Sequence, residues 1–118
     1  MTTWDGFYAG YMHSSGGQGF AMFVFREGVI AGADPLGVEF DGHYAVREDG
    51  SMAGHVSVVV PPNTTLIQGV TTGASGMKYD VPIDLPSGAF EAPFVRLDTP
   101  LGPVNLRMQK LRAAGKEE

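Results

Sequence analysis

Apolar side chains alternate with small ones between Asp5 and Met12, and the run stops at His13-Ser14-Ser15-Gly16-Gly17, whose glycines accept the positive φ angles of a tight reversal. This pattern predicts a first strand and its turn. Beyond it Phe20, Met22 and Val24 interleave with Ala21, Phe23 and Phe25. Arg26-Glu27-Gly28 then turns the chain, and Val29, Ile30 and Ala31 lead into Gly32-Ala33-Asp34-Pro35. Side chains alternate sides along a strand, so this hairpin is apolar on both faces whichever register its turn selects. One face belongs to a core. The other calls for a second layer, a second subunit or an apolar ligand, because a bare patch of this kind is uncommon on a monomer.

The next two runs fix their own register. Phe40, Tyr44 and Val46 share one side of Glu39 to Arg47, and Met52, Val56, Val58 and Val60 share one side of Met52 to Val60. A two-residue turn at Asp49-Gly50 would set the apolar stripe of one strand beside the polar stripe of the other. A three-residue loop with Gly50 in the left-handed region instead pairs Val46 with Met52, Tyr44 with Gly54 and His43 with His55, aligning both stripes. Further on, Thr64 to Thr72 reads as a strand, Gly73-Ala74-Ser75-Gly76 as a turn and Met77 to Leu85 as an edge strand marked by Pro82. Leu85 to Glu91 has room for one helical turn. Asp98-Thr99-Pro100-Leu101-Gly102-Pro103 reads as a rigid loop before Val104, Leu106 and Met108 at strand spacing. The expectation is an all-β, mainly antiparallel, small barrel-like fold of about eight strands with at most one short helix. It occupies residues 1–110 as a single domain, with a charged tail at 111–118.

Composition narrows the function. At 118 residues the chain suits one domain, and 17 glycines with 8 prolines leave little room for long helices. A net charge of -5 argues against direct nucleic-acid binding, which needs a basic face. Four of the eight basic residues (Arg107, Lys110, Arg112, Lys116) crowd near the end and read as a solvated tail. The chain has no cysteine, which removes thiolate chemistry and disulfides. The sequence shows neither an export signal nor an apolar run long enough to span a bilayer, so a cytoplasmic protein with no membrane role is expected.

Catalytic motifs are not evident. Gly16, Gly17 and Gly19 precede a strand where a dinucleotide motif would open a helix, and Gly73-Ala74-Ser75-Gly76 is one residue short of a nucleophile elbow. The His43 and His55 pair, with Asp41 one pleat away, is the one constellation of metal-ligand type. Cross-strand histidines on a polar face need no ligand, and a dependable zinc site takes three or four ligands held by their own partners. No catalytic residue, metal site or cofactor is therefore assigned.

The order of landmarks resembles the GrlR-type family of negative regulators of type III secretion. The landmarks are Asp5-Gly6-Phe7-Tyr8, a glycine turn, Gly19-Phe20, Gly28 closing a hairpin, Gly32-Ala33-Asp34, Gly42-His43-Tyr44, and Glu48-Asp49 before a valine-rich strand. The likeness covers residues 4 to 60. It implies a homodimer of small barrels, each with a short helix and an apolar interior able to hold lipid-like molecules, which sequesters a transcriptional activator. In the family a run of four acidic residues meets the activator, and Glu48 and Asp49 match two of them. The expectation is thus a non-enzymatic regulatory protein whose partner surface includes Glu48 and Asp49. The alternative is a carrier whose cavity, lined by Phe20, Met22, Val24, Tyr44, Val56 and Val58, takes an apolar small molecule. Phe23, Phe25 and Ile30 complete the set expected to face that cavity or the dimer partner.

Overall fold

The computed structural model describes residues 4–89 and 91–113. Among them eight strands follow one another: β1 (Gly6–Ser14), β2 (Gly17–Arg26), β3 (Val29–Ala33), β4 (Glu39–Val46), β5 (Met52–Val60), β6 (Met77–Leu85), β7 (Val95–Thr99) and β8 (Gly102–Arg112). Every ladder is antiparallel, and the spatial order is β6-β5-β4-β3-β2-β1-β8-β7. Because β8 returns to pair with β1, the meander curls round until β6 and β7 lie side by side. The result is a nearly closed barrel with one seam. Pro82 sits on β6 opposite His55, and lacking an N–H it suits a strand that carries its ladder on one side only.

The β4–β5 hairpin has the register that stripe alignment demands: Val46 pairs with Met52, Tyr44 with Gly54 and His43 with His55. Gly50 makes the turn at φ 87°, and Arg47 N donates to Ser51 O at 2.8 Å to close the loop. Two expectations need correction. Thr64 to Thr72 is not a strand but a small folded-back flap in which Thr65 bridges to Thr71. A strand needs a neighbour to receive its ladder, and here the segment pairs only with itself. The missing strand is β7, read earlier in part as a rigid loop; its Val95, Leu97 and Thr99 face inward while Arg96 and Asp98 face out. Residues 86–89 and 91–92 form turns and bends, and the described residues contain no helix, which is within the expected limit of one.

The supposed tail is also partly strand. β8 runs through Arg112, so Arg107, Lys110 and Arg112 belong to the barrel wall, and Lys116 lies outside the described residues. Arg107 sits over the Tyr11 ring at 4.4 Å and Arg112 over Phe7 at 5.7 Å. These cations cover part of an apolar outer face with groups from the same chain.

Candidate functional site

Alternation on β2 decides what the barrel holds. Phe23 and Phe25 turn inward beside Ala21, and Ile30 opposite Phe25 does the same from β3. Val56 and Val58 of β5 and Val81 of β6 complete the middle of the wall. Together they enclose a cavity of about 340 Å³. Val56 and Val58, expected in its lining, are there, and so are Phe23, Phe25 and Ile30, expected to face either the cavity or a dimer partner. Phe20 lies at its mouth, half-exposed, with its ring 5.4 Å from that of Tyr11. Met22 and Val24 do not line it. They have the opposite parity to Phe23 and Phe25 and stand on the outer face, Met22 being 42% exposed.

One end of the barrel is closed by aromatic packing. Trp4 stacks on Phe25 at 6.5 Å, Tyr8 meets Phe25 edge-on at 5.0 Å, and Tyr44 lies 5.3 Å from Phe25. Their polar tips are all engaged: Trp4 Nε1 donates to Gly50 O at 3.0 Å, Tyr8 OH to Trp4 O at 2.6 Å, and Tyr44 OH to Asp5 Oδ1 at 3.0 Å. Tyr44 is therefore part of the floor and not, as expected, of the cavity wall. The fixed partner Asp5 holds its ring at the closed end.

These phenols resist ionisation. Burial pushes Tyr44 up to about 12 from its ordinary value of 10.0; the hydrogen bond and charge of Asp5 add to the rise, and the Gly28 backbone opposes it. Burial also raises Tyr8, helped by repulsion from Tyr44 and Asp5. An unfolded chain releases these protons near pH 10 while the fold keeps them. The stabilisation is accordingly complete below about pH 10 and is lost as pH rises through the folded-state values. The urea midpoint of the parent should fall between about pH 10 and 12. Tyr44→Phe should fall less over that window, and an equal fall in both would count against the assignment.

The other end opens under the flap. Thr72 Oγ1 accepts from Thr64 N at 2.8 Å and donates to Pro61 O at 2.7 Å, cinching residues 61–72 into a compact loop. Ser14 Oγ donates to Ile67 O, tying the loop to the β1–β2 turn. Leu66 is buried, and it lines the cavity together with Ile67 and Gln68. The sequence reading missed this flap, although Gly69, at φ 90°, marked a break that a strand would not carry.

The hairpin tip offers less. Glu48 is exposed, but Asp49 Oδ1 accepts from Ser51 N at 2.9 Å and Ser51 Oγ at 2.6 Å, and this holds its carboxyl below the usual range. The adjoining Arg47 forks onto Asp84 with two 3.0 Å hydrogen bonds. A broader depression of about 630 Å³ beside the tip is lined by Trp4, Asp5, Glu27, Tyr44 and the tip residues, a mixed polar wall quite unlike the barrel interior. His43 and His55 face each other across the outer wall with ring centroids 6.3 Å apart. Among the described residues no three His, Cys, Asp or Glu side chains gather as a metal set. Compared with protein-family models, with curated proteins and with solved structures, the chain shows no match.

Proposed function

We propose that the protein binds an apolar small molecule inside its barrel, as a carrier or ligand-responsive binding protein. The observation that supports this is the cavity of about 340 Å³ walled by Phe, Val, Ile, Leu and Met side chains. It falls within the roughly 300–1,000 Å³ range of small-molecule pockets. Water is a poor occupant of such a space, since each molecule wants about three hydrogen-bond partners and this wall supplies few. An apolar guest loses nothing on leaving solvent and recovers the dispersion contacts that an unfilled wall forgoes. The regulatory reading, drawn from the resemblance over residues 4 to 60, puts Glu48 and Asp49 in its partner surface, and Asp49 is already committed to its own turn.

Titration with N-phenyl-1-naphthylamine, an uncharged dye that brightens in apolar surroundings, tests the proposal. Saturable binding at one site per chain is expected, with Kd on the order of 1–10 μM. A linear, unsaturable response would overturn it.

A further inference from the structure

Five polar side chains interrupt the apolar wall of the cavity: Gln18, Asp34, Gln68, Tyr79 and Thr99. Among the described residues none that lines it is Lys, Arg or His. Three of the five converge beneath the flap, where Gln68 Nε2 lies 3.5 Å from Tyr79 OH and 3.4 Å from Thr99 Oγ1. Both distances exceed the usual hydrogen-bond length of about 3.0 Å, so these contacts are loose. Thr99 is otherwise occupied, donating to Gly102 O at 2.6 Å and accepting from Leu101 N at 3.1 Å. Among the described residues, the Tyr79 hydroxyl proton and Gln68 Oε1 have no other partner. Beneath the flap the apolar chamber thus presents a donor and an acceptor side by side.

Asp34 adds a sign to this pattern. Its Oδ1 accepts from Leu36 N at 2.8 Å and Val38 N at 3.0 Å, which fixes a carboxylate at the cavity rim. A ligand carrying its own carboxylate would meet that negative charge and find no cation to pair with among the described residues of the wall. Burying an ion without a counter-charge is costly, whereas a hydroxyl or ester carbonyl needs only the donor and acceptor already in place.

Taking the apolar-ligand reading as its basis, we infer that the ligand is an uncharged amphiphile. Its apolar body fills the barrel and its hydroxyl or carbonyl group meets Gln68 and Tyr79, while the carboxylate of the same chain is selected against.

Displacement of N-phenyl-1-naphthylamine from the full chain by decan-1-ol, methyl decanoate and decanoate tests this. The alcohol and the ester should bind at least about tenfold tighter than decanoate. Tyr79→Phe should weaken the alcohol about fivefold relative to its effect on the dye, since only the alcohol uses the hydroxyl. Gln68→Lys supplies the absent cation and should reverse the order in favour of decanoate, a change that greater apolarity of the alcohol cannot produce. Equal affinity for decanoate and decanol, an unreversed order in Gln68→Lys, or a Tyr79→Phe loss shared by the dye would each overturn the headgroup assignment while the apolar cavity stands. Failure of the parent to bind the dye at all would remove the underlying reading and this inference with it.

Discussion

Gly54→Val should cost the fold about 3 kcal/mol or more, enough to bring a domain of ordinary stability close to its unfolding threshold. Gly54 lies on the inward face of β5 opposite Tyr44. A Cβ built there would fall 2.0 Å from His43 O and 2.8 Å from Tyr44 Cα, both backbone atoms of the neighbouring strand. Gly42 stands in the mirror situation, its Cβ position 2.1 Å from His55 O. Neither glycine has a positive φ, so the requirement is room and not backbone freedom. The β4–β5 pair coils so closely that side chains at these two points would wedge the ladder apart. Urea unfolding followed by the fluorescence of Trp4, the only tryptophan and a buried one, provides the measurement. Gly73→Ala is the control, because a Cβ there meets nothing within 4 Å and should change stability by less than about 0.5 kcal/mol. A Gly54→Val midpoint equal to that control would refute the close approach.

The same coiling shows which parts of this fold can be read from the chain. The β4–β5 register is legible because each strand carries one apolar stripe, and aligning the two stripes leaves a single loop length and a single left-handed glycine. Eight strands are expected and eight are found, yet one expected strand is misplaced. Thr64, Thr65, Val70, Thr71 and Thr72 have the β-branched character of a strand. They lack a neighbour, so tertiary placement overrides propensity and the segment folds onto itself as the flap. In β7 the period of two is present in five residues, but Pro93 and Pro100 flank it and resemble the punctuation of a loop.

The cavity was harder to read than the fold. Phe20 to Phe25 is apolar on both parities, so alternation alone cannot say which stripe faces inward. The signal that separates them is the glycines. A Cβ on Gly10 would come 2.6 Å from the Phe23 ring, and so would one on Gly32, directly opposite Phe23. A bulky ring flanked across strands by bare backbone marks the crowded, concave side, and Met22 and Val24 have no such flanks. On the neighbouring β1 the rings of Tyr11 and Phe7 are covered by Arg107 and Arg112. Those residues read as a tail because their charge pattern says nothing of the strand that carries them.

Val81→Trp should abolish uptake of apolar ligands, with affinity for N-phenyl-1-naphthylamine falling about 100-fold or more. Val81 is buried on β6 opposite Val56, and both line the cavity. In a close-packed core an added indole would force neighbours off their rotamers and lower stability by about 1–3 kcal/mol. In a chamber of about 340 Å³ the ring has space to occupy, and the contacts it gains with the opposing wall offset the distortion. Lost binding should therefore come without a lowered melting temperature, a combination that a simply misfolded variant does not give. Val59→Trp is the matched control: the neighbouring strand's Val59 points outward, 39% exposed, and an indole there should leave dye affinity intact. Parent-like binding by Val81→Trp would mean that the ligand sits elsewhere. A melting temperature depressed by many degrees would mean that the interior is filled by its own side chains and has no vacancy for a guest.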